Sequence, residues 1–173
     1  DALSVSFNRN VGHDYLEDYE ERYELYNKKE SRIQFDLEYF NKITKGGLPN
    51  KTLNIALAGT GVGKSLFMCH HASAVLLEGK NVLYITLEMA EEKIAERIDA
   101  NLLNVNIQEI VDLPKPIFES KVTNLAKKTQ GSLIIKEYPT ASAHSGHFKA
   151  LLNELALKKS FKPDIIRSEE HTS

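Results

Sequence analysis

Apolar positions fall into two kinds of run along the chain. Leu53-Asn54-Ile55-Ala56-Leu57 and Asn81-Val82-Leu83-Tyr84-Ile85-Thr86-Leu87 are short, nearly continuous apolar stretches, which predicts buried strands. Ser132-Leu133-Ile134-Ile135-Lys136 predicts a third, and Phe161-Lys162-Pro163-Asp164-Ile165-Ile166 opens a fourth that stops after Ile166. Between these runs the period becomes helical. One helix is expected from Leu66 to about Leu77 with Gly79 ending it, and the next turns Ile94, Ile98 and Leu102 inward. Asn106 and Glu109 cap a brief helix, and Pro116 suits the start of another that carries Val122 and Leu125 toward Gly131. A last helix begins between Ser142 and Ser145 and buries Phe148, Leu151, Leu152 and Leu155. Strands alternating with helices predict a mainly parallel sheet with right-handed crossovers and helices on its faces, an α/β fold.

The part before the first strand is patterned differently. Residues up to Gly12 show no period and read as a lead-in. Asp14 then caps a helix with Glu17 as its partner, and Tyr15, Tyr19, Tyr23 and Tyr26, with Leu16, form an aromatic stripe. Charged residues cover the other faces, so the helix has one sticky side, which packs either on its own domain or on a neighbouring subunit. Arg32-Ile33-Gln34-Phe35 reads as extended, a short helix follows with Leu37, Phe40 and Ile43 inward, and Gly46-Gly47-Leu48-Pro49-Asn50 makes a turn. The expected organisation is a lead-in and amphipathic helix over residues 1–31, a domain over 32–166, and a tail of residues 167–173. In that tail, Arg167-Ser168-Glu169-Glu170-His171-Thr172-Ser173 breaks the strand pattern without a turn, like the translation of a sequencing-adapter read-through, and is expected to be non-native.

Composition narrows the function classes. With 22 basic and 24 acidic residues among 173, there is no overall basic field, so contact with nucleic acid would need a local patch or other parts of a longer protein. The single cysteine, Cys69, excludes an internal disulfide and suits a reducing compartment. No apolar run approaches a membrane span and the start carries no signal-peptide pattern, so a soluble intracellular protein is expected. His70 and His71 are adjacent on a helix and point apart, and His144 and His147 lack a third ligand, so no histidine metal site is expected.

The candidate chemistry lies between the first strand and its helix, in Ala58-Gly59-Thr60-Gly61-Val62-Gly63-Lys64-Ser65, followed by Leu66. Strand, glycine-rich turn and helix make a nest of inward N–H groups backed by the positive end of a helix, which suits a triphosphate. Lys64 places a point charge near the β- and γ-phosphates, and the Ser65 hydroxyl coordinates Mg²⁺. Ala58 replaces the usual first glycine, but Gly59, Gly61 and Gly63 remain to make the turn. The second strand runs into Glu88, on the carboxyl edge where ligands bind in open parallel sheets. A glutamate there can orient a water for attack on the γ-phosphate; the competing reading is a helix-cap acid beside Glu91 and Glu92.

Phe35-Asp36-Leu37-Glu38, then Gly46-Gly47-Leu48 leading into residues 53–58, then Leu83-Tyr84-Ile85-Thr86-Leu87-Glu88-Met89, together resemble the motor domain of DnaB-like replicative helicases, including their phage members. Ala58 is also found in that family. The resemblance, which covers residues 1–166, implies a RecA-like P-loop core, truncated here, with an amino-terminal linker helix. It further implies a homo-hexamer joined through that helix, and ATP or GTP hydrolysis with Mg²⁺ driving 5′-to-3′ movement on single-stranded DNA. Primase and helicase-loader partners, and the cytoplasm of an infected bacterial cell, follow from the same resemblance. Residues 58 to 66 take the phosphate role, Lys64 and Glu88 the catalytic roles, and Ser65 the metal role. The family's metal-supporting Asp ends the strand that this chain only begins, and Asp164 at its start is not that residue. The γ-phosphate sensor, DNA-binding loops and arginine finger lie further along, so this chain alone is expected to be slow or inactive. Two other readings remain open: a small P-loop kinase, for which Arg97 is a meagre arginine lid, and a non-catalytic RecA-like module that binds nucleotide to set subunit packing.

Overall fold

The computed structural model describes residue 12 and residues 14–28, 30–139 and 142–169. The lead-in before Gly12 and the last four residues of the tail lie outside the described residues. The sheet is built around β3 (Val82–Thr86), with β4 (Leu133–Glu137) and β5 (Ile165–Glu169) parallel to it on either side. Val82 stands opposite Leu133 and Ile165, and Thr86 opposite Glu137 and Glu169. All five residues of β3 are buried, as the unbroken apolar run predicts for a strand covered on both faces. Val82 and Tyr84 pack with Met68, Cys69, Ala72 and Val75 of α3 (Lys64–Leu77) and Ile94 and Ile98 of α4 (Glu91–Leu102). Leu83 and Ile85 pack on the opposite face with Leu155 of α7 (Ser145–Lys159), where Phe148, Leu151 and Leu152 join them. The brief helix is α5 (Ile107–Ile110), with Asn106 accepting from the Gln108 N–H as its cap, and α6 (Lys115–Lys128) follows the prolines.

The amino-terminal part departs from the pattern in instructive ways. The helix α1 spans Tyr19–Asn27 and does not begin at Asp14. The Asp14 carboxylate accepts from the N–H groups of Leu16 and Glu17 at 3.0 Å, and Asp18 closes the box by accepting from Asp14 N–H at 2.8 Å, a role predicted for Glu17. Its tyrosine stripe is exposed: among the described residues Tyr15, Tyr19, Tyr23 and Tyr26 do not pack on the α/β domain. The strands β1 (Arg32–Ile33) and β2 (Leu48–Pro49) form a small antiparallel pair. Gly47 makes the close approach possible, since a Cβ there would stand 2.3 Å from the Ile33 carbonyl oxygen at φ 107°. This pair seats Ile33 on α3, and Phe35 stacks on His71 at 4.3 Å. In α2 (Glu38–Ile43) only Phe40 turns inward, onto Phe35 and Phe67; Leu37 and Ile43 are exposed, because six residues present a single contact face.

Two strand expectations are corrected. Residues 53–57 form no strand, and Leu53, Ile55 and Leu57 are 88%, 73% and 92% exposed. An apolar run becomes a strand only where a neighbour takes its backbone N–H and C=O groups and a layer covers its face. Both sides of β3 are occupied by β4 and β5, and no described residue pairs with residues 53–57. The last strand, conversely, does not stop at Ile166. Its ladder with β3 continues to Glu169, because backbone pairing is indifferent to side chains, and Arg167 and Glu169 are thereby buried.

Candidate phosphate-binding site

The glycine loop keeps its turn although the strand before it is absent. Gly61 and Gly63 adopt φ of 76° and 103°, in the region that glycine enters without steric cost. A Cβ at either would meet no atom within 4 Å, so conformation and not space demands glycine there. Val62 N–H reaches the Gly59 carbonyl at 3.4 Å, and Gly63 is the N-cap of α3, accepting from Phe67 N–H at 2.9 Å. The first turn of α3 carries no acid to neutralise its orphan N–H groups. Lys64 and Ser65 are half-buried in that turn, while Ala58, Gly59, Thr60, Gly61, Val62 and Leu66 face solvent. Positive-φ glycines, a bare helix start and a lysine-serine pair fit a polyphosphate, with the Ser65 hydroxyl as a hard oxygen donor suited to Mg²⁺.

Glu88 is carried to the same edge by length matching. The turn at residues 78–81 reverses α3 into β3, with Lys80 N–H bonded to the Val75 carbonyl at 3.3 Å. The 14 residues of α3 rise about 21 Å and the five of β3, with the turn beyond, nearly as far, so the loop and Glu88 sit at one end of the layer pair. The Thr86 side chain fixes this end. Its hydroxyl, wholly buried, donates to the Met89 carbonyl at 2.8 Å and accepts from Met89 N–H at 3.0 Å, closing a turn with Glu88 exposed at its tip. Glu91 and Glu137 also act at the start of α4. Glu91 N–H donates to Glu137 Oε2 at 3.2 Å and Glu137 N–H to Glu91 Oε1 at 2.8 Å, a reciprocal clamp with Lys136 Nζ 3.7 Å from the same Glu91 oxygen.

Asp164 is at the far end of the sheet, accepting from Asn81 N–H at 2.8 Å, as expected of an acid that starts the strand. The acid that ends β5 is Glu169, and it lies in the segment set aside as a tail. Its carboxylate is buried and accepts from the Tyr84 hydroxyl at 2.8 Å, with Cys69 Sγ 3.8 Å from that hydroxyl. Burial, then the neighbouring Cys69 and Glu169, push the Tyr84 hydroxyl far above its ordinary range, and burial raises the Cys69 thiol. Beside it, burial lowers the Arg167 guanidinium to about 10. Among the described residues no carboxylate pairs with Arg167; its neighbours are Met68 Sδ at 3.8 Å and His71 Nε2 at 3.4 Å. No sequence period signalled this layer, because polar residues interrupted the strand pattern.

The four histidines among the described residues have structural employment. His70 Nε2 lies 2.6 Å from Asp36 Oδ2 and its Nδ1 2.9 Å from Asn101 Nδ2, while His71 is buried in the aromatic stack. His144 Nδ1 accepts from Gly146 N–H at 3.0 Å and His147 Nδ1 from His144 N–H at 3.3 Å, so both rings cap α7. Among the described residues no helix is long and apolar enough to cross a membrane.

Residues 33–157 match the family described as ATPase: KaiC. The chain is also 49% identical over 168 residues to the DnaB-like replicative helicase of Enterobacteria phage T4, an alignment covering 95% of this chain and 35% of that protein. The chain thus spans about a third of the length of that curated relative. A parallel sheet flanked by helices, a glycine turn at a helix start and the family match converge: the chain belongs to the KaiC ATPases, a RecA-like family.

Proposed function

We propose that the chain is the nucleotide-binding part of a hexameric replicative DNA helicase that couples ATP or GTP hydrolysis to 5′-to-3′ movement on single-stranded DNA. The observation that supports this reading is the glycine turn with positive φ at the start of α3, together with the Thr86–Met89 turn that carries Glu88 at the end of β3. The similarity to the phage T4 DnaB-like replicative helicase supports it. In this reading residues 58–66 cradle the phosphates by backbone N–H groups, Lys64 offsets their charge, and Ser65 holds Mg²⁺. Bound Mg²⁺ supplies charge neutralisation at the phosphate oxygens. Glu88 orients the attacking water and accepts its proton. The exposed tyrosines of α1 dock on the next subunit of the ring.

The single-stranded DNA, a primase and a helicase loader are partners of the longer protein, acting in the cytoplasm of an infected bacterium. Because the relative is far longer, this chain alone hydrolyses nucleotide slowly or not at all. The test is unwinding of forked DNA by the full-length protein with Mg²⁺ and each nucleotide. Unwinding that requires a 5′ single-stranded tail is expected; hydrolysis with no strand separation on any fork would overturn the reading.

A further inference from the structure

The edge of the sheet opposite the phosphate loop gathers lysines. Helices antiparallel to their strands bring all their carboxyl ends there, and a set of bonds fastens them together. Asn81 is the hub: its Nδ2 donates to the Lys162 carbonyl at 3.1 Å, its Oδ1 accepts from Ser132 N–H at 3.1 Å, and its N–H donates to Asp164. The Thr129 hydroxyl bonds the Leu76 carbonyl, tying the end of α6 to the end of α3. Gly131 lies so close to Lys80 that a Cβ would stand 2.4 Å from its carbonyl oxygen. Phe161 N–H bonds the Leu155 carbonyl at 3.1 Å, fastening the end of α7 beside the start of β5.

Lys80, Lys127, Lys128, Lys158, Lys159 and Lys162 therefore share one end of the molecule, against Glu78 and Asp164. Of these six, Lys158 alone has an ion-pair partner among the described residues, Glu154. The chain's net charge is −2, so this face is a local reversal of sign. Helix dipoles account for lysines in the last turns of α6 and α7, but Lys80 and Lys162 lie outside helices. Protein interfaces are depleted in lysine and anchored by arginine, tyrosine and tryptophan, so a lysine-rich face is a poor match for one. Mobile ammonium groups without anchors suit the phosphates of a polyanion in any sequence.

We propose that this lysine face binds a single strand of nucleic acid by its phosphate backbone, a contact separate from the nucleotide site. It rests on the reading of the longer protein as a DNA motor, and adds a second surface for that DNA. The test is fluorescence anisotropy of labelled, mixed-sequence single-stranded DNA with the full-length protein over a range of salt. Lys127→Gln, Lys128→Gln, Lys159→Gln and Lys162→Gln are combined in one variant, and the four arginine replacements in a second. Loss of four phosphate contacts lowers the slope of log affinity against log salt by about 3, with at least a roughly tenfold loss of affinity at low salt. The arginine variant restores both, and binding of a fluorescent nucleotide analogue stays unchanged in each.

An unchanged slope in the folded glutamine variant overturns the proposal. So does a variant that keeps its DNA slope but no longer binds polyglutamate, which would assign the face to an acidic protein. Failure of the motor reading appears elsewhere, in turnover that survives Glu88→Gln, and leaves the slope result standing.

Discussion

Thr86→Val isolates the link between strand geometry and the proposed catalytic carboxylate. Valine matches threonine in shape, so the buried site keeps its volume but loses both bonds to Met89, at 2.8 and 3.0 Å. Two net hydrogen bonds at about 1 kcal/mol each, plus the cost of leaving the Met89 N–H and carbonyl less well satisfied, give a loss of roughly 2–4 kcal/mol. That is a large share of the roughly 5–15 kcal/mol that a domain has, so urea denaturation reads it directly. Release of the turn also frees Glu88 to move, and a misplacement of about 1 Å costs roughly 100-fold in rate. DNA-stimulated hydrolysis by full-length Thr86→Val should therefore fall by about two orders of magnitude. Nucleotide affinity should hold, because Lys64 and Ser65 belong to α3, and Thr86→Ser should retain most of the activity. A valine variant with stability and turnover within twofold of the parent would refute the claim that this turn holds Glu88.

Two further outcomes follow from the buried polar layer. Burial lowers the folded Arg167 guanidinium from its ordinary range to about 10, so the folded state disfavours its charge at every pH below about 10, and the penalty is relieved only as pH climbs beyond that. Removing the charge with Arg167→Met should raise stability by about 3 kcal/mol in urea denaturation at neutral pH, and a destabilised variant would show that the guanidinium contributes more than it costs. Cys69, 2% exposed and with its thiol raised by burial, should react with a disulfide reagent at pH 8 at least about 100-fold more slowly in the native chain than in denaturant. Equal rates would mean that α3 opens readily.

The central strand and the edge it leads to were legible because their determinants are local. An unbroken apolar run ended by an acid reads as a covered strand, and the three glycines before Lys64 announce a turn that only glycine makes easily. What the sequence hid was set by partners. Residues 53–57 carry the same kind of apolar run as β3, yet a strand exists only where another takes its hydrogen bonds, and no described residue does so. The ladder of β5 went unseen for the converse reason: Arg167 and Glu169 look like surface residues, while their backbone pairs with Tyr84 and Thr86 regardless. The tyrosine stripe announced one sticky face of α1 but not what covers it, and the structure leaves that face exposed within the chain. The bonds of His144 and His147 at the head of α7 were equally illegible, since histidine is an unusual helix cap.

The most direct test of the motor reading is Glu88→Gln in the full-length protein, with nucleotide binding and DNA-stimulated turnover measured on the same sample. The account predicts that Mg²⁺-nucleotide still binds, since the glycine turn, Lys64 and Ser65 are untouched, while turnover falls by about 100-fold or more for want of the proton acceptor. Undiminished turnover would contradict it, leaving Glu88 without a catalytic role and the chain better read as a nucleotide-binding module.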